Sequence, residues 1–198
     1  MEENRQNPEE IEETVNETEE KKPVNMVKEV LEWIICIVSA VAIALFLRNF
    51  VVTFARVDGP SMNQTLNHND SLIVLRLGYQ PEAGDVVIFN PENGSAAPYI
   101  KRIIATEGQD VELINTVNGV EVYVDGELLD EPYAYAAEPN YYTGEGVYTV
   151  PEGHVFVMGD NRCNSHDSRS ADVGYVAESQ IMGEAVVRVW PLNKMGKF

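Results

Sequence analysis

Positive charge is scarce in this chain. Fourteen Lys and Arg stand against 32 Asp and Glu, a formal net charge of −18 over 198 residues. Phosphate binding needs clustered cations, so the absence of a basic face argues against nucleic acid as a partner. Cysteine is almost absent as well. Cys36 falls inside an apolar stretch and Cys163 far downstream, so no disulfide framework exists and stability must come from a packed core. No internal repeat and no long amphipathic helical pattern follow residue 50. Two familiar serine motifs are missing too: no G-x-S-x-G surrounds a serine, and Gln64 stands where S-x-x-K would need a lysine after Ser61. None of His68, His154 or His166 has the surroundings of a recognised histidine triad.

One long apolar run is present. Trp33–Leu47 carries no charge, and Val30 and Leu31 extend it. That approaches the roughly 20 residues a membrane span needs. Lys21, Lys22 and Lys28 precede the run while Arg48 and Arg56 follow it, a weak positive-inside bias that puts the N-terminus in the cytoplasm. A cleaved signal peptide and a buried core helix are the competing readings. The long preceding segment and the lack of a clear cleavage site favour an uncleaved anchor. The expected organisation is therefore three-part. Residues 1–25 form an acidic disordered cytoplasmic head, too poor in apolar residues to offset its ordering entropy. Residues 26–50 form a transmembrane signal-anchor helix, and residues 51–198 an extracytoplasmic domain. The lipid bilayer is thus an expected partner.

Past the anchor the pattern is that of short strands between turn residues. Expected strands are Phe50–Phe54, Ser71–Leu75, Val86–Phe89, Tyr99–Ala105, Ile114–Val117, Val120–Val124, Glu127–Leu129, Val147–Val150, His154–Met158 and Ile181–Trp190. Asn118-Gly119 and Asp125-Gly126 fit two-residue hairpins, whose central positions need positive φ. The stretch 130–146, with Tyr133, Tyr135, Tyr141 and Tyr142, reads as a polar loop. The fold class is mainly β, with antiparallel pairing.

Four stretches stand in order behind the apolar run. They are Gly59-Pro60-Ser61-Met62-Asn63-Gln64-Thr65-Leu66, Gly84–Phe89, Tyr99-Ile100-Lys101-Arg102-Ile103-Ile104 and Gly159-Asp160-Asn161-Arg162-Cys163-Asn164-Ser165-His166-Asp167-Ser168-Arg169. A serine needs a base to become a nucleophile. Lys101 can serve only if burial among Tyr99, Ile100, Ile103 and Ile104 lowers its pKa; strand alternation alone leaves it free to point outward. Taken together the four stretches resemble the sequence boxes of the type I signal peptidases, serine–lysine dyad proteases that remove signal peptides from exported proteins.

That resemblance covers nearly everything from residue 30 onward and implies a curved antiparallel β-sheet peptidase domain behind one N-terminal transmembrane helix. It implies Ser61 as nucleophile and Lys101 as general base, with Ser165 holding the lysine amine. It pairs Asp160 with Arg102 and Asp167 with Arg169. The implied substrates are signal peptides of exported preproteins, cut after small residues of the Ala-x-Ala type, and the secretion translocon is a candidate partner. No metal and no cofactor are implied. From Arg48 to Ser61 is thirteen steps, at most roughly 45 Å when fully extended, which ties the nucleophile near the bilayer.

Three departures from the family pattern stand out: Gln64 where Pro is usual, Cys163 where Asn or Asp is common, and Gly59 where some members carry a hydroxyl that helps hold the oxyanion. With Gly59, the oxyanion donors are expected to be backbone N–H groups, that of Ser61 above all, and Gly59→Ser is expected to raise kcat modestly; the alternative is that glycine is required there for positive φ or close substrate approach, and the substitution then damages the enzyme. Gly159 and Gly174 are read as turn glycines, and Met62 as packing beneath the substrate or facing the membrane. Two rival readings remain: a catalytically silent membrane-tethered β domain that binds exported proteins, and a metal site from His154, Asp160, His166 and Asp167, whose spacing fits no standard zinc pattern.

Overall fold

The computed structural model describes residues 26–117, 119–135 and 144–198. The acidic head, Asn118, Tyr141 and Tyr142 lie outside the described residues. The chain divides into two compact units, Met1–Ile43 and Ala44–Phe198. Helix α1, Met26–Phe46, is 21 residues long and has no buried residue. At about 1.5 Å per residue its length matches the hydrocarbon core of a bilayer, and its composition is apolar enough to cross one.

After α1 come a π-helical turn, Leu47–Val51, and strand β1, Val52–Arg56. The expected first strand therefore starts two residues late. The Val52 N–H donates to the Leu47 carbonyl, so the backbone of Phe50 and Val51 belongs to the turn. The remaining strands are β2 (Ser71–Leu75), β3 (Val86–Phe89), β4 (Tyr99–Ala105), β5 (Asp110–Thr116), β6 (Gly119–Val124), β7 (Glu127–Leu128), β8 (Gly146–Thr149), β9 (His154–Met158), β10 (Val176–Ala177) and β11 (Ile181–Trp190). β5 begins earlier than its sequence pattern suggests, and the two residues of β10 are too few to show alternation. The turn between β6 and β7 is as expected, with Asp125 at φ 52° and Gly126 at φ 83°.

All strand pairs are antiparallel and form two sheets. The larger runs β1-β2-β11-β3-β4-β9-β10 and the smaller β7-β6-β5-β8. β4 lies between β3 and β9, with Lys101 opposite Val87, and Arg102 opposite Val86 and Met158. Three buried clusters meet on this strand. Ile104 joins Phe156 and Met158 to Val111, Leu113 and Val122 of the small sheet. Ile100 packs on a second cluster of Val57, Met62, Leu66, Leu72, Val86 and Ala185. Ile103 belongs to a third, with Val87, Phe89, Val155 and Val157. With apolar layers on both faces, β4 buries every residue from Lys101 to Ala105. Met62 and Leu66 are 1% and 0% exposed, and each such burial contributes about 1.5–3 kcal/mol toward holding the Ser61 loop on the sheet.

β11 crosses between β2 and β3 at Gly183, where the register shifts. A Cβ at 183 would run into the Leu75 carbonyl and come within 3.1 Å of Val74 Cγ1, and the glycine has φ 148°. Backbone cannot yield as a flexible side chain can. Gly183→Ala is therefore expected to destabilise the domain by about 1–3 kcal/mol or more, read as a lowered melting temperature of the full-length protein in detergent.

Candidate active site

Ser61 sits in the loop between β1 and β2, tightened by hydrogen bonds from Asn63 N–H to the Pro60 carbonyl (3.0 Å) and from Leu66 N–H to the Met62 carbonyl (2.8 Å). Lys101 reaches it from β4. Lys101 Nζ lies 2.7 Å from Ser61 Oγ, donates to the Ile100 carbonyl at 3.0 Å, and is 5.3 Å from the centre of the Tyr99 ring. The side chain is buried, at 4% exposure. Burial lowers its pKa from 10.5 to about 8; Asp167 and Asp160 push the other way, while Arg169 assists the lowering. The outward-pointing alternative is thereby removed: on a strand covered on both faces, alternation offers no solvent side.

Both expected ion pairs form, and both are bidentate. Arg102 Nε and Nη2 donate to Asp160 at 2.9 and 2.8 Å, and Nη1 donates to the Gly84 carbonyl at 2.7 Å. The guanidinium carbon lies 4.0 Å from the centre of the Tyr133 ring. Arg169 Nε and Nη2 each donate to Asp167 at 2.8 Å, and Gly159 N–H adds a third donor at 2.9 Å. Burial pushes the Asp167 carboxyl up, but the Arg169 guanidinium and the Gly159 amide together hold it below the usual carboxylate range. A third buried pair, Arg162–Glu131, is also bidentate, at 2.7 and 2.5 Å.

Ser165 is placed differently from the role the resemblance gives it. Its Oγ is buried and, among the described residues, makes no hydrogen bond to the lysine amine; it faces Asp167 instead, where it favours the ionised carboxyl. The second partner of the lysine amine is the Ile100 carbonyl instead. Met62 is core, not a membrane-facing residue. Gly159 is no turn glycine: a Cβ there would collide with the Ser165 side chain and stand 2.5 Å from the Ser61 carbonyl oxygen. Gly174, at φ 56°, does serve a turn. The residues of the four-member metal reading are spread over separate partners. Asp160 takes Arg102, Asp167 takes Arg169, His166 Nε2 lies 2.8 Å from Asp172, and His154 Nδ1 lies 2.8 Å from the Glu152 carbonyl.

Several contributors went unforeseen. Asn161 N–H donates to the Ser61 carbonyl (3.0 Å) and its Nδ2 to the Pro60 carbonyl (3.1 Å). Thr65 Oγ1 donates to Asp160 at 2.6 Å. The described part of the tyrosine-rich loop is not merely solvated: Tyr133 covers Arg102, and Tyr135 N–H donates to the Asp160 carbonyl at 2.7 Å. No local pattern marks these residues, because each acts across a large sequence separation. Ser61 and Lys101 open onto a cleft of about 550 Å³ walled by β1 residues such as Phe54 and by Tyr99 and Ile100, with Met182 in its lining. One open cleft with a buried amine against a hydroxyl is an arrangement suited to acyl transfer.

The family model described as "Signal peptidase, peptidase S26" matches residues 30–190. A probable signal peptidase I-2 of Synechocystis sp. is 38% identical over 190 residues, covering 92% of this chain and 83% of its own length. Signal peptidase I S of Bacillus subtilis is 37% identical over 185 residues, covering 88% of this chain and 96% of its own. A crystal structure of a signal peptidase I from Enterococcus faecalis is 29% identical, covers 55% of this chain and 98% of its own, and superposes at a TM-score of 0.44.

Gly59 reverses the expectation drawn from its missing hydroxyl. It adopts φ 97°, where a side chain is strained whatever the space, and its N–H donates to His68 Nδ1 at 3.3 Å. Gly59→Ser is therefore expected to lower both kcat and melting temperature, with the left-handed backbone costing about 1–2 kcal/mol. Steady-state cleavage of one peptide alongside a thermal melt measures both.

Proposed function

The chain belongs to the signal peptidase family of peptidase S26, and from that membership we propose that it is a membrane-anchored serine endopeptidase that removes signal peptides from exported preproteins. Ser61 is the nucleophile and Lys101 the general base. The observation that carries this reading is the 2.7 Å approach of Lys101 Nζ to Ser61 Oγ beside an open cleft. A peptide bond is cut after small residues, Ala-x-Ala in type. The apolar helix α1 anchors the enzyme in the bilayer, with the N-terminus cytoplasmic and residues 51–198 on the far side. The acidic head, residues 1–25, is on the cytoplasmic side.

The chemistry follows from the protonation states. Neutral Lys101 accepts the Ser61 proton as Oγ adds to the scissile carbonyl. The resulting ammonium returns that proton to the departing amine, leaving an acyl-serine. Lys101 then deprotonates a water, which adds to the ester and frees Ser61. The developing oxyanion needs a fixed donor. Of the residues 59–61, Pro60 has no N–H and that of Gly59 is directed to His68, so the role falls to the N–H of Ser61. Asp160–Arg102 and Asp167–Arg169 shape the site without touching the substrate, and Ser165 completes the packing around Asp167. A silent binding domain would have no use for a buried lysine whose pKa is lowered beside a serine.

Incubating the detergent-solubilised full-length protein with a signal-peptide-bearing precursor, and mapping the cut by mass, tests the assignment. Ser61→Ala, Lys101→Ala and Lys101→Arg are each expected to abolish cleavage with the fold intact, arginine being unable to deprotonate usefully. Cys163→Ser is expected to keep most of the activity. Persistent cleavage by purified Ser61→Ala would overturn the dyad.

The pH profile supplies an independent check. A base works only when neutral, so kcat/KM should climb about tenfold per pH unit and level off above the Lys101 pKa of about 8. An acidic limb centred near the 10.4 of free lysine would contradict a desolvated base.

A further inference from the structure

Beyond the residues already assigned, Arg188 on β11 stands out as a mostly buried cation, 12% exposed at its side chain. Two segments converge on it. Its Nη1 donates to the Thr65 carbonyl (2.9 Å) and to Asp70 Oδ2 (3.1 Å), both in the loop that follows Ser61. Its Nε donates to the Lys194 carbonyl (2.7 Å), and its backbone N–H and carbonyl pair with Gly196 at 3.0 Å each. Phe198, two residues on, packs against the cluster that contains Met62 and Leu66. Asp70 also accepts the Asn67 N–H at 2.9 Å, so the loop closes on the same carboxylate that Arg188 grips. Thr65 in turn donates its hydroxyl to Asp160, the partner of Arg102 beside the base.

We propose that Arg188 is a positioning residue for the nucleophile: it ties the loop 62–70 to β11 and to the tail 191–198, so that Ser61 stays within hydrogen-bond reach of Lys101. The inference rests on the Ser61–Lys101 reading. The Ser61 loop is held from two sides. Asn161 fixes the Pro60 and Ser61 carbonyls, while the following residues are held by the burial of Met62 and Leu66 and by this guanidinium. Shifting a reacting group by about 1 Å can cost 10²-fold in rate even when the change lies far from the chemistry. A loosened loop also admits water to Nζ, which weakens the desolvation that keeps the amine neutral.

The test uses the full-length protein in detergent and a signal-peptide-bearing precursor peptide, comparing wild type, Arg188→Lys, Arg188→Met and the double variant Arg188→Met/Asp70→Asn. Arg188→Met should lose about tenfold or more in kcat with KM within about twofold, and its acidic limb should move upward toward free lysine. Arg188→Lys, keeping the charge but losing the fork, should fall between. The double variant removes the orphaned carboxylate, so it should regain melting temperature but not kcat. Wild-type kcat and an unmoved limb in Arg188→Met would overturn the proposal. So would full recovery of kcat in the double variant, since Arg188 would then be only the counter-ion of Asp70. An inactive wild type would instead refute the peptidase reading beneath it.

Discussion

The proposed dyad depends on keeping one amine neutral. A lysine on a strand covered on both faces is desolvated, and that alone favours the uncharged form. Two carboxylates, Asp160 and Asp167, lie close enough to oppose this. A single unpaired carboxylate about 4 Å away would favour the ammonium by roughly 4 kcal/mol at an effective dielectric of 20, about three pK units. Each carboxylate is instead clamped by its own guanidinium, and at the amine Arg169 works directly against Asp167. Desolvation then remains the largest influence on Lys101, and the pKa settles near 8. The buried ion pairs are thus explained by what they prevent. As stabilising elements they would be weak, because removing two charges from water costs nearly what their attraction returns.

β4 sets the geometry that this balance requires. Lys101 and Arg102 are adjacent on a strand and so leave it on opposite faces. One serves the serine and the other grips Asp160, and neither placement tolerates a slip of one residue, which would exchange the two. The register is held by apolar neighbours on both sides, Ile100 and Ile104 on one face and Ile103 on the other. The stretch 159–169 then answers from β9. It contributes the two acids, one of the arginines, and the backbone and side-chain N–H donors of Asn161 that fix the Ser61 loop.

Much of this was legible in the chain because it is local. Strand periodicity placed β2, β3, β4, β9 and β11 within a residue, and the Asp125-Gly126 turn follows from a backbone requirement that few residues meet. The shift of β1 was hidden because Phe50 and Val51 are as apolar in a π-turn as in a strand, and periodicity cannot separate the two. The burial of Lys101 was likewise hidden, since it depends on β3 and β9 flanking β4 and not on its own neighbours in sequence. Gly59 and Gly159 could not be told apart from their letters. The first needs a positive φ and the second needs the absence of a Cβ, and only the fold distinguishes conformational freedom from close approach.

Asn161 shows how such long-range contacts shape chemistry as well as packing. Its Nδ2 donates to the Pro60 carbonyl, the oxygen of the peptide unit whose nitrogen is that of Ser61. That unit is planar and trans, so its carbonyl and its N–H point in opposite directions. Fixing the carbonyl toward Asn161 therefore aims the Ser61 N–H away from it, and a second bond from Asn161 N–H to the Ser61 carbonyl fixes the next peptide plane as well. With both planes held, the Ser61 N–H proposed as the oxyanion donor is oriented in advance, and the proposed mechanism then needs no reorganisation as charge develops. A side-chain hydroxyl at 59 would have to be ordered separately in a loop whose backbone excludes it. On the proposed mechanism backbone orientation takes that role, and Asn161 supplies the orientation from a part of the sequence one hundred and one residues away.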